Sequence, residues 1–162
     1  MSVLDRFRLD GRTAIFTGVG PGVGEHVAKA YAELGANVVI SARSIDRLER
    51  IANDINSLDG GRALAIAADA GDKDDLKNVV DKAREAFGPI HIVFNNAAAG
   101  VVYAHDGGLW ANTDEVWKTA FDVNVMATWR LAELTSIDME AHGKGVIISV
   151  QSLSLIHISE PT

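Results

Sequence analysis

No cysteine occurs among the 162 residues. That removes disulfides, zinc–thiolate sites and thiol nucleophiles together, and it suits a reducing, cytoplasmic setting. Proline is scarce, at three, and aromatic residues make up only 6%, two of them tyrosines. Positive charge is in deficit: 15 Lys and Arg stand against 22 Asp and Glu, a formal net charge of −7. Such a balance argues against a nucleic-acid-binding surface and a patch for anionic membranes. Long apolar runs are missing too, and none approaches the roughly 20 residues that span a bilayer. The opening stretch MSVLDRFRLDGRT is charged throughout and has no apolar segment of the kind a secretory leader needs. The expectation is a cytoplasmic protein without nucleic-acid or membrane partners.

What is present is ordinary globular material, 48% hydrophobic and 23% charged. Five short aliphatic runs lack polar alternation, as strands buried on both faces do. They are Thr13–Thr17, Asn37–Ser41, Ala63–Ala67, His91–Phe94 and Val146–Val150. Stretches of helical spacing separate them. The first carries Val23, Val27, Ala30, Tyr31 and Leu34 as its apolar stripe and stops at Gly35. Ser44 is placed to cap the second, whose stripe is Leu48, Ile51, Ala52 and Ile55. Leu76, Val79, Val80, Ala83 and Phe87 mark the third, closed by Gly88-Pro89. Thr113 should cap the fourth, a single long helix with Val116, Ala120, Val123, Ala127, Leu131 and Leu134 facing inward. Strands alternating with helices predict an α/β fold, a Rossmann-type doubly wound parallel sheet of about five strands with helices on both faces. Its ligand should sit beyond the carboxyl ends of the strands. One edge of the sheet is expected to be incomplete. No repeat, linker or low-complexity segment divides the chain, so residues 1–152 read as one domain.

Between the first strand and the first helix lies Thr17-Gly18-Val19-Gly20-Pro21-Gly22-Val23-Gly24. Backbone N–H groups at a helix N-terminus receive a diphosphate, and only glycines let the backbone come that close. A tight strand-to-helix turn without ligand would have a similar composition, but this one opens the first βαβ unit. TGVGPGVG resembles the TGxxxGxG fingerprint of the short-chain dehydrogenase/reductase family. The resemblance implies that Gly18, Gly20, Gly22, Val23 and Gly24 bind the diphosphate of a nicotinamide dinucleotide. Pro21 departs from it: proline has no N–H, and phosphate-preferring members often carry a basic residue there.

The end of the second strand selects the cofactor. An acid there would bind both ribose hydroxyls and repel a 2′-phosphate. The chain has Ala42 at that position and Arg43 after it. A guanidinium pairs with a phosphate through parallel hydrogen bonds, so NADP(H) is expected, with NAD as the alternative.

Other matches follow in family order. Asp69 and Ala70, after the third strand, are similar to the segment near the adenine ring. Asn95-Asn96-Ala97-Ala98 is similar to NNAG, implying cofactor contacts from Asn96, Ala97 and Ala98, the last in place of glycine. Asp122-Val123-Asn124-Val125 carries an asparagine in the position that holds a water of the family's proton relay, which makes Asn124 a catalytic candidate. Asparagine is a mediocre helix former, so propensity alone does not explain it. Val146–Val150 runs into Ser152, which matches the catalytic serine that polarises the substrate carbonyl.

The family's reaction moves a hydride between nicotinamide and a carbonyl or alcohol carbon. It uses a tyrosine with a lysine four residues on. Tyr31 is followed at that distance by Gly35 and Tyr103 by Gly107, so neither fits. Leu153–Thr162 resembles an in-frame translated sequencing adaptor and is expected to be a non-native tail, leaving a fragment without activity of its own. The parent is expected to be a homodimer or homotetramer acting on a small carbonyl or alcohol substrate, which Tyr103, His105 and Trp110 would help to shape. A non-catalytic NADP-binding sensor of the same fold is the alternative. A methyltransferase would want a carboxylate where Ala42 stands, and His26, His91, His105 and His142 are too scattered for a metal site.

Overall fold

The computed structural model describes residues 4–99 and 113–150. Ser152, the loop residues Tyr103, His105 and Trp110, and the tail lie outside them. After a short 3-10 turn at Leu4–Phe7 come β1 (Thr13–Thr17), α1 (Val23–Glu33), β2 (Asn37–Ala42), α2 (Ile45–Asn56) and β3 (Ala63–Ala67). Then follow α3 (Lys73–Phe87), β4 (Ile92–Asn95), α4 (Asp114–Phe121), a π segment (Asp122–Met126), α5 (Ala127–Ala141) and β5 (Val146–Ser149). The strands form one parallel sheet in the order β3-β2-β1-β4-β5. The chain therefore reverses its winding between β1 and β4, and a crevice opens at their carboxyl ends.

β1 sits at the centre because it is apolar enough to be covered on both faces. Every residue from Thr13 to Thr17 is buried. Phe16 points into the layer made with Ala28, Ala32, Leu48, Ile51 and Ile55 of α1 and α2. Ile15 points the other way, onto Leu76, Val79, Val80 and Ala83 of α3 with Ala127 and Leu131 of α5. Each Val, Leu, Ile or Phe among these contributes about 1.5–3 kcal/mol when fully buried, and an alanine methyl about 0.8 kcal/mol. At the far edge β5 leaves Val146 half exposed.

α1 differs from the stripe expected of it. Gly24, Ala28 and Ala32 face the sheet; Val27 and Tyr31 pack at the margin, while Val23 and Ala30 are exposed. Small residues four apart bring the helix axis close to β1, and bulk at those positions would push it off. The fourth helix is not continuous either. Ala127 N–H bonds to Asp122 C=O, five residues back, so a π turn separates α4 from α5. Ser44 and Thr113 occupy N-cap positions, but their side chains make no capping hydrogen bond. Asp72 does cap α3, accepting from the N–H groups of Asp74 and Asp75.

The amino end of the sheet is closed by polar pairs. Thr13 N–H donates to His91 Nδ1 at 3.1 Å, and Thr13 Oγ1 donates to Phe87 C=O at 3.0 Å. Asp138 of α5 accepts from Arg84 Nε at 2.9 Å and from Ile90 N–H at 3.2 Å. Arg84 also donates to Leu134 C=O at 2.6 Å.

Candidate functional site

The opposite end of the sheet is organised by the glycine loop. Gly18 has φ +64°, and a Cβ there would lie 2.4 Å from Ala97 Cα. Left-handed backbone and contact with the loop after β4 both demand glycine at this point. Gly24 is buried beneath the loop, where a Cβ would stand 3.0 Å from Asn96 Nδ2. Asn96 Nδ2 in turn donates to Gly18 C=O at 2.8 Å. Val19 N–H is tied to Ser41 C=O at 3.0 Å. The loop is thus braced by β2 on one side and the β4 loop on the other.

Below it, a chain of hydroxyls and one amide crosses the carboxyl ends of three strands. Thr17 Oγ1 donates to Asn95 Oδ1, and accepts from Ala97 N–H at 3.3 Å. Asn95 Nδ2 donates to Thr128 Oγ1 at 2.6 Å, and the Thr128 and Ser149 hydroxyls are 3.3 Å apart. No buried side-chain polar atom among the described residues lacks a partner, so this network is complete in itself.

A cavity of about 650 Å³ opens above these groups. Gly18, Val19 and Gly20 form its floor on the loop side, and Ala97, Ala98 and Ala99 the wall after β4. Ala42, Arg43, Ser44 and Arg47 line the β2 side; Ala68, Asp69 and Ala70 line the β3 side. Asn96, Thr119 and Val123 complete it. Of the expected cofactor residues, Gly18, Gly20, Arg43, Asp69, Ala70, Asn96, Ala97 and Ala98 meet here. Gly22 and Val23 are exposed beside the cavity, and Gly24 supports it from below. Ala98, which stands in place of the expected glycine, is exposed and lines the cavity wall.

Arg47 escaped sequence reading. The available signal was its place four residues after Arg43, at the start of the next helix. Both arginines are exposed, and neither forms an ion pair with a described residue. Asp69 is partly engaged, since its Oδ1 accepts from Gly71 N–H at 2.8 Å. A smaller hollow of about 230 Å³ adjoins at Asp69, Thr119 and Val123 and reaches Asp122. There Lys118, at 2.6 Å, holds the Asp122 carboxyl below the usual carboxylate range, with Arg130 adding to the effect.

Asn124 lies in the π segment. Its Oδ1 accepts from Ala99 N–H at 3.0 Å and its Nδ2 donates to Ala99 C=O at 2.9 Å. That two-point clamp joins the helix to the cavity wall. π turns of this kind recur at functional sites. Ser152 lies outside the described residues, so of the two catalytic candidates only Asn124 has a described position.

The set of groups fits a dinucleotide. The loop offers backbone and open space, with nothing among the described residues, chain neighbours aside, within 4 Å of a Cβ placed on Gly22, and the β2 side offers two guanidiniums that pair with no described residue. Comparison with known proteins shows the family. Residues 12–156 match the family model described as short chain dehydrogenase. The chain is 33% identical over 150 residues to 7alpha-hydroxysteroid dehydrogenase of Escherichia coli K12, covering 93% of itself and 56% of that protein. It is 36% identical over 159 residues to a short-chain type dehydrogenase/reductase of Picea abies, covering 94% and 58%. Among solved structures, 7 alpha-hydroxysteroid dehydrogenase complexed with NADH and 7-oxo glycochenodeoxycholic acid superposes with a TM-score of 0.86 at 31% identity, over 96% of this chain and 59% of that one. L-sorbose reductase of Gluconobacter frateurii, complexed with NADPH and L-sorbose, gives 0.84 at 31% identity, over 93% and 56%. The chain thus spans a little over half the length of these relatives.

Proposed function

Because the chain belongs to the short-chain dehydrogenase/reductase family, we propose that its cavity binds NADP(H) in preference to NAD(H), as the cofactor-binding part of an oxidoreductase acting on a small carbonyl or alcohol compound. The observation that carries the cofactor preference is the end of β2. Ala42 stands where a ribose-binding acid would be, and the Arg43 guanidinium lies at the cavity edge without an ion pair to a described residue. Relatives are solved with either form, NADH in the hydroxysteroid dehydrogenase and NADPH in the sorbose reductase, so this chain's own residues must decide. Backbone groups of Gly18, Val19 and Gly20 would receive the diphosphate; Arg43 would pair with the 2′-phosphate; Asp69 and Ala70 would flank the adenine. When bound, the nicotinamide supplies or accepts a hydride.

The chain's own groups bind and orient rather than complete the chemistry. Asn124, fixed on Ala99 beside the cavity, is assigned to ordering a water of the proton relay. Ser152 is assigned to the substrate oxygen. Neither Tyr31 nor Tyr103 has a lysine four residues on, so the 162-residue chain should bind cofactor without turning it over. The same observation favours a second reading, an NADP-binding sensor. Carbonyl-dependent oxidation of NADPH by a longer form carrying Tyr-x-x-x-Lys after Ser152 would decide for the enzyme. We propose a cytoplasmic parent that assembles as a homodimer or homotetramer.

Titration calorimetry of this chain with NADPH and NADH tests the reading. NADPH should bind more tightly, and Arg43→Asp should weaken NADPH about tenfold or more while sparing NADH. Equal losses for the two would sink the preference. No heat with either would sink the site.

A further inference from the structure

We infer that Arg47 is a second specificity-determining cation for the 2′-phosphate of NADP(H), reaching it from the α2 side and standing in for a basic residue that the glycine loop lacks. The inference rests on the NADP(H) reading above and adds a residue to it.

Position comes first. Arg47 lies in the opening turn of α2, and its guanidinium turns over the loop instead of away from it. Arg47 Nη1 is 3.8 Å from the point that a Cβ on Gly20 would occupy. Arg43, Ser44 and Arg47 line one stretch of the cavity wall, facing Gly18 and Gly20.

Charge comes second. The chain has seven more acidic than basic residues (22 against 15), and its cations have carboxylates to choose from. Arg84 takes Asp138, Arg130 takes Asp122, and Arg50 of the same helix lies 4.0 Å from Glu25. Arg47 takes none among the described residues, although Asp46 and Glu49 are close in the chain. An unpaired guanidinium on a cavity wall in so acidic a protein is poised for an anion from outside.

The loop itself makes that role necessary. Thr17–Gly24 contains no cation, and Pro21 contributes neither charge nor N–H. A phosphate monoester carries roughly −1.5 to −2 at neutral pH. Arg43 alone would leave about half to one unit of that charge unmatched. A second guanidinium, with its planar fork of donors, closes the difference.

Adenosine 2′,5′-bisphosphate and 5′-AMP differ only in the 2′-phosphate and isolate this contact. Calorimetry on the 162-residue chain should show the bisphosphate binding more tightly. Arg47→Gln should weaken the bisphosphate about tenfold, equivalent to 1.4 kcal/mol, and leave 5′-AMP within about twofold. Arg47→Lys, which keeps the charge and loses the fork, should fall between. Arg47 is exposed, and unchanged circular dichroism of the variants would place any loss in binding rather than folding. Preference for the bisphosphate that survives intact in Arg47→Gln overturns the role of Arg47 alone. Equal loss of both nucleotides overturns it as well, since the arginine would then serve the 5′-phosphate or the fold. A wild-type chain that binds the two equally defeats the NADP(H) reading first, and this inference with it.

Discussion

The two ends of the sheet are built from opposite materials. At the amino end, side chains converge on one another and on the backbone: His91 on the Thr13 N–H, Arg84 on Asp138, Asp138 on the Ile90 N–H. At the carboxyl end many side chains shrink to glycine and alanine around a cavity, and the largest polar groups there, Arg43 and Arg47, form no ion pair with a described residue. The amino end has spent its polar groups on the fold; the carboxyl end has done so beneath the cavity, where Thr17, Asn95, Thr128 and Ser149 are joined, and holds only the two guanidiniums of the rim in reserve. The cost of keeping charge unmatched is small at an exposed rim, where water solvates it, and would be large inside. A ligand site is marked here by unspent hydrogen-bonding capacity on a rigid base more than by any single residue.

Substitutions can break that contrast, and the largest effect should come from Gly18→Ala. It adds a methyl 2.4 Å from Ala97 Cα at a positive φ, so both strain and collision apply. Thermal or urea unfolding should show a loss of about 2–4 kcal/mol, and nucleotide binding should disappear with it. Asp138→Ala attacks the other end. It strips Arg84 and the Ile90 N–H of their acceptor in a partly buried setting and should cost about 1–3 kcal/mol. Nucleotide affinity of the folded fraction should not change; a large change would mean that the two ends are coupled. The smallest effect is a pH dependence. Burial, with help from Arg12 and His142, lowers the His91 pKa from its ordinary 6.5. The unfolded chain therefore binds a proton at a pH where the folded chain does not. His91's contribution is complete above about 6.5 and is lost as the pH falls from there through the folded value. His91→Gln should flatten unfolding free energy between about pH 7 and 5.

The strands were legible because continuous aliphatic runs admit few other readings, and each stands within a residue of its expected bounds. That the glycine loop, Arg43, Asp69 and Asn96 would gather at one place was legible from the family resemblance, since each of its motifs sits at a strand end, and they line one cavity. Burial on α1 was not. Val23 and Ala30 fit a hydrophobic stripe, yet close approach to β1 favours the smallest side chains, and Gly24, Ala28 and Ala32 turned inward. The π turn was hidden for a related reason. Asp122–Met126 has unexceptional helix composition, and the extra residue follows the Asn124–Ala99 clamp, a contact between positions 25 apart. Arg47 needed the fold as well, since only the seating of α2 beside the loop brings it over Gly20.

The interruption at residues 122–126 also fixes which deletions the protein can survive. An α-helix turns about 100° per residue. Removing one residue from the π turn takes out the extra residue, so α4 and α5 fuse into an ordinary helix whose two flanks keep their facing: Leu131 and Thr135 stay buried, and Thr128 stays beside Asn95 and Ser149. What is lost is the bulge that carries Asn124 to Ala99. One residue taken instead from the regular first turn of α5 would rotate all that follows by about that angle and swing Leu131 and Thr135 out of the interior.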